Sequence, residues 1–124
     1  MLARKHRFHG HGSLNYVYRR GKNARSPYCV MRFVPGKYDT YRVAVVVNKK
    51  VAKSAPVRNR IRRRVYETIR LCADNLLTNQ DIVVTVFDDR FLCAPYKEIS
   101  QSIEQQLKQV AKGTSLARPP SVVN

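Results

Sequence analysis

The run Arg58-Asn59-Arg60-Ile61-Arg62-Arg63, preceded by Lys49-Lys50 and Lys53, concentrates the groups that bind phosphate. A guanidinium presents paired N–H donors to two oxygens of one phosphate, and an ammonium adds a compact point charge. Charge runs on helices are usually solvated faces, balanced by acids of the same helix. Here the balance is missing, because from Lys49 to Arg70 the one acid is Glu67. Asn59 and Tyr66 add an amide and an aromatic edge suited to bases and sugars. No other chemistry emerges: acids are few and none stands in a recognisable spacing with a histidine, so no catalytic residue is expected in the polypeptide. His6, His9 and His11 alternate as zinc or nickel ligands can, but a structural site needs a fixed frame of four ligands and Gly10 and Gly12 loosen this stretch. A basic arm is the expectation there, with no bound metal.

The whole composition supports a polyanion as partner. The chain of 124 residues carries 24 Lys+Arg against 8 Asp+Glu, a net of +16, and a surplus of that size repels itself unless something outside compensates it. Residues 1–70 hold 19 Lys+Arg with Asp39 and Glu67 as the acids, a net of +17, while residues 71–124 hold 5 and 6 respectively, a net of −1. The phosphate-facing surface is therefore expected from the first seventy residues and the scaffold from the rest. A hydrophobic share of 44% fits one folded domain. Cys29, Cys72 and Cys93 are odd in number and widely spaced, which argues against disulfides and zinc ribbons. No apolar run approaches the roughly 20 residues of a membrane span, and the N-terminus lacks a signal-peptide pattern. A cytoplasmic protein without membrane attachment is the expectation.

The elements that must position the arginines follow from periodicity. Leu14, Val17 and Tyr18 share one helical face between Ser13 and Gly21, predicting a helix over 13–20. Tyr28–Phe33 and Tyr41–Val47 read as strands, expected as antiparallel neighbours about Pro35-Gly36. Val57, Ile61, Val65, Ile69, Cys72 and Leu76 trace one stripe of a helix over 56–77, with Pro56 in its first turn. Around that stripe Arg58, Asn59, Arg62, Arg63, Tyr66 and Arg70 occupy one flank, while Arg60 and Arg64 project elsewhere. Asp81–Phe87 reads as a buried strand, and Ile99, Ile103, Leu107 and Val110 mark a last helix over 96–110. The order predicts an α+β fold, a two-layer α/β sandwich of helices on a small central sheet. Its boundaries are a flexible arm at 1–12, a single domain at 13–112 and a disordered tail at 113–124.

The segment from Lys49-Lys50 to Arg58-Asn59-Arg60-Ile61-Arg62-Arg63 resembles the signature of the bacterial ribonuclease P protein family. The resemblance extends through Leu14-x-x-Val17-Tyr18-x-x-Gly21, through Arg42-Val-Ala-Val-Val-Val-Asn-Lys-Lys50, and on through Asp81-Ile-Val-Val84 and the final helix, roughly residues 7–110. It implies a fold like the second domain of ribosomal protein S5, with a left-handed βαβ crossover where ordinary chirality would give a right-handed one. It also implies a protein cofactor of a catalytic RNA that removes the 5′ leader of precursor tRNA, with Mg2+ acting through the RNA. The expected partners are the ribonuclease P RNA and precursor tRNA, one monomeric protein per RNA. The RNA-binding residues would be Lys49, Lys50, Lys53, Arg58, Asn59, Arg60, Arg62, Arg63 and Arg70. Leu14, Tyr18, Tyr28 and Tyr66 would line a leader cleft, although ordinary core packing is the other role open to Tyr18 and Tyr28. The chain departs from the family pattern at Leu14, where an aromatic is usual, and at Asp88-Asp89, where a basic residue is usual. A ribosomal or assembly-factor protein shares the high charge but would be indifferent to a leader. A DNA-binding module would place helices, not strands, beside the long helix.

Overall fold

A helix, α1, forms over His11–Arg20 and seats Leu14, Val17 and Tyr18 on the sheet, beginning two residues before the expected start. Gly21 ends it, donating its N–H to Val17 O at 2.7 Å, and the chain turns directly into a strand. The computed structural model describes residues 11–36, 40–73 and 76–117. His6 and His9 of the expected arm lie outside that range. The further elements are β1 (Lys22–Arg25), β2 (Cys29–Pro35), β3 (Arg42–Val47), α2 (Ala55–Ala73), β4 (Gln80–Val86), a 3₁₀ turn (Asp89–Phe91) and α3 (Tyr96–Ala117).

The strands form one sheet of order β1-β2-β4-β3, with β4 antiparallel to β2 and parallel to β3. The expected β2–β3 hairpin is thus corrected: β4 lies between them. Ile82, Val84 and Val86 of β4 enter one apolar layer and Val83 the other, so this strand is buried on both faces and takes a partner on each edge. Pro35-Gly36 is no hairpin turn. Pro35 pairs with Gln80, and the Gly36 N–H donates to Asn79 O at 2.7 Å. Strand β1 had no sequence signal, since only Ala24 of its Lys-Asn-Ala-Arg is buried. Its turn into β2 is held by Ser26 Oγ, which accepts the N–H groups of Tyr28 and Cys29, both at 3.2 Å.

Helices α2 and α3 pack together on one face of the sheet, and α1 lies on the other. Ile61, Val65 and Ile69 of α2 and Ile99, Ile103, Leu107 and Val110 of α3 are fully buried there, each worth roughly 1.5–3 kcal/mol of apolar burial. Gln106 carries the polar part of that layer. Its Nε2 donates to Ala24 O at 2.9 Å and to Cys29 O at 3.2 Å, and its Oε1 accepts the Cys29 thiol at 3.3 Å, tying α3 to the β1–β2 hairpin. Arg64 ties α2 to the segment before α3 by donating to Leu92 O at 3.2 Å and Ala94 O at 2.9 Å. Two boundaries differ from expectation. Helix α2 spans Ala55–Ala73, with Leu77, its expected last residue, buried outside it, and α3 continues through Gly113 to Ala117. A Cβ at Gly113 would lie 2.8 Å from Phe33 Cζ, so this glycine marks close helix–sheet packing rather than a helix stop.

Candidate nucleic-acid interface

Strand pairing lays out the open face of the sheet in rows. Arg25 of β1 is opposite Val30 of β2, Val30 is opposite Thr85 of β4, and Thr85 is opposite Val46 of β3. Among the described residues, α1 leaves this row only partly covered. Val17 packs one and two rows away, with Ala44 and Val83 and with Val34, and Tyr18 reaches the open row with its hydroxyl 3.4 Å from Thr85 Oγ1. Val30, Thr85 and Val46 are left half-buried beside Leu14 and Tyr18. The result is a shallow trough whose floor spans three strands, roughly 10 Å at ordinary strand spacing. Arg32 fixes its wall by donating to Tyr18 O, one of the last carbonyls of α1.

The trough ends along β3 at a basic ridge. Asn48 Oδ1 accepts the N–H groups of Lys50 at 2.9 Å and Val51 at 3.3 Å, a local turn that presents Lys49 and Lys50 three and four residues beyond the floor residue Val46. The next stretch is held from inside α2, where Arg58 Nη1 donates to Ala52 O at 2.9 Å and Lys53 O at 2.8 Å. Lys49, Lys50, Lys53, Asn59, Arg60 and Arg63 are exposed, and Asn59 Oδ1 accepts from Arg62. The first turn of α2 contains no acid, so the positive end of its dipole adds to these charges. Arg70 is exposed but paired with Glu67, whose carboxyl its guanidinium pulls down to about 2. That pair leaves Arg70 the weakest contributor to the ridge.

Three of the expected site residues take other positions. Tyr66 is 8% exposed in the larger core and its hydroxyl accepts the Val45 N–H at 3.2 Å, on the sheet face opposite Tyr18. Tyr28 also belongs to that core, packed on Phe91 at 5.5 Å between ring centroids. The expected cleft of Leu14, Tyr18, Tyr28 and Tyr66 is therefore divided by the sheet, and only Leu14 and Tyr18 border the trough. Arg58 is half-buried and serves the loop as well as the surface. Arg58→Ala is accordingly expected to cost about 1–3 kcal/mol by urea denaturation, where an exposed arginine would leave stability unchanged. Val30, Thr85, Val46 and Arg25 were not singled out from the sequence. Strand alternation marks one face for each, but which face stays open depends on how far α1 reaches.

Cys29, the buried thiol, is pushed up to about 11 by burial and so stays protonated. Among the described residues no helix is long and apolar enough to cross a membrane.

Comparison with known proteins agrees with the geometry. The family model described as Ribonuclease P matches residues 2–111. The ribonuclease P protein component of Chloroflexus aurantiacus is 30% identical over 108 residues, 87% of this chain and 79% of that protein. That of Caldanaerobacter subterraneus subsp. tengcongensis is 34% identical over 93 residues, 75% of this chain and 78% of its own. The solved RNase P protein of Thermotoga maritima superposes with a TM-score of 0.72 at 24% identity, covering 78% of this chain and 90% of that one. With a match across most of its length, the chain belongs to the ribonuclease P protein family, the protein component of the bacterial ribonucleoprotein that processes tRNA 5′ ends.

Proposed function

We propose that the trough receives the single-stranded 5′ leader of precursor tRNA while the ridge of Lys49, Lys50, Lys53, Asn59, Arg60 and Arg63 holds the backbone of the ribonuclease P RNA. The observation that carries this reading is the uncovered row Val30–Thr85–Val46 beside Tyr18, bordered by cations. An apolar floor with one aromatic edge binds bases without reading their hydrogen-bonding pattern, and a basic border follows phosphates. Leaders differ between tRNAs, so this tolerance suits the task. Arg58 and Arg62 lie within the same basic surface and supply its inner contacts.

In this reading the hydrolysis belongs to the RNA and to Mg2+ held through it, and the polypeptide positions the substrate. It acts as a monomer in the cytoplasm, one protein per RNA. Reconstitution with a bacterial ribonuclease P RNA at low magnesium tests the proposal. The protein should raise the rate of leader cleavage and make the complex bind precursor tRNA more tightly than mature tRNA. No gain in cleavage, together with equal affinity for the two tRNAs, would sink it and favour a general RNA-binding protein.

A further inference from the structure

The open face continues beyond Thr85. Two residues further along, at the end of β4, Phe87 is 44% exposed whereas Val86 between them is fully buried. Carried one residue past the end of β4, the alternation that turns Thr85 to the trough and Val86 to the core favours the trough side for Phe87. Its backbone is fixed, because the Phe87 N–H donates to Tyr28 O at 3.2 Å. Its ring has a partner as well: the Arg25 guanidinium lies 5.9 Å from the ring centroid. Arg25 belongs to the same row as Val30, Thr85 and Val46, so ring and cation extend the floor already described.

Two acids follow this ring, Asp88 and the exposed Asp89, and the adjacent Asp88 would ordinarily repel a polynucleotide. Asp88 is instead engaged by Arg90, with Nε to Oδ1 at 3.0 Å and Nη2 to Oδ2 at 2.8 Å, and the Arg90 guanidinium in turn lies 5.0 Å from the centroid of Tyr28. Its charge is balanced locally. On the α1 side of the trough Leu14 offers apolar surface without a π-face, and Tyr16 is exposed away from the packed stripe. Tyr18 therefore supplies one stacking edge, and Phe87 is placed to supply another beyond Thr85.

We infer that Phe87 and Arg25 form a further base-binding subsite beyond Thr85, on the β1 side of the end of the trough that meets the ridge. It takes an unpaired nucleobase of the leader against the Phe87 ring and the adjoining phosphate or base on the Arg25 guanidinium. Aromatic faces accept any base and guanidinium planes stack on bases too, so the subsite adds affinity rather than sequence preference. This inference rests on the leader reading and assigns a specific position within it.

The chain contains no tryptophan, so Phe87→Trp places a single fluorophore in the subsite. In complex with a bacterial ribonuclease P RNA, its fluorescence should be quenched by precursor tRNA and left unchanged by mature tRNA, with the quench appearing once the leader is long enough to pass Tyr18. Phe87→Ala should weaken precursor binding by roughly five- to twentyfold and leave mature tRNA binding unaltered. Phe87→Tyr, which keeps the ring, should stay within about twofold of the parent and covers the case in which the alanine variant folds poorly. Saturated precursor binding with unchanged tryptophan fluorescence would overturn the subsite. Tyr18→Ala separates the two levels: if it abolishes the preference for precursor while Phe87→Ala does not, the trough stands and the subsite falls. If the parent complex shows no preference at all, both readings fail.

Discussion

Replacing Lys49, Lys50 and Arg63 together by alanine should weaken binding to the ribonuclease P RNA by on the order of a hundredfold at about 0.15 M salt. Each phosphate contact releases counterions worth a slope of roughly −0.7 to −0.9 in log affinity against log salt, and three such contacts multiply to that figure. The slope itself should flatten by about two to three units. Folding should be untouched, because all three side chains are exposed and make no ion pair with a described residue. Affinity measured at several salt concentrations, beside a thermal melt, distinguishes this from general damage. Arg70→Ala is the internal contrast, since its charge is already shared with Glu67 and its loss should have the smaller effect. A triple variant with unchanged slope would mean that the ridge does not face RNA.

The residues of that ridge were legible because charge clustering is a local property of the sequence, and so was the α2 stripe of Ile61, Val65 and Ile69, all fully buried. Tyr66 was misplaced for a reason that no local pattern contains. It lies about 120° from the centre of the stripe, which reads as a flank. But β3 is an edge strand, and the Val45 N–H would lack a partner without the Tyr66 hydroxyl. The sheet order was hidden likewise, since pairing is decided by which strand is buried on both faces, a property of the assembled layers. Strand β1 carries almost no apolar signal: it closes the edge with lysine and arginine, the composition that discourages further pairing. The trough was only half readable. Leu14 and Tyr18 announce themselves by helical spacing, but that Thr85 is left partly exposed beside α1 is a property of the assembled layers.

That dependence on α1 makes Gly21→Ala a strongly disruptive small substitution. A Cβ at this position would lie 2.4 Å from Val17 O and 3.2 Å from both the N and O of Phe33. All three are backbone atoms, of α1 and of the neighbouring strand β2, so no rotamer change relieves the clash. The Gly21 N–H bond to Val17 O would stretch, and α1 would lift from a seat defined by Val17 in the smaller core and by Arg32 donating to Tyr18 O. A cost of roughly 2 kcal/mol or more is expected, a fall in Tm of about 6–12 °C for a domain of this size. Because the ridge is built by β3 and α2, binding to the ribonuclease P RNA should persist while the preference for leader-bearing tRNA is lost. Gly113→Ala is the matched control. Its Cβ would meet the ring edge of Phe33 at 2.8 Å, a side chain that can tilt, and alanine favours the helix by about 0.5–1 kcal/mol, so its melt should stay closer to the parent's. A Gly21→Ala protein with parental Tm and intact leader preference would show that α1 does not need this close approach to hold the wall of the trough.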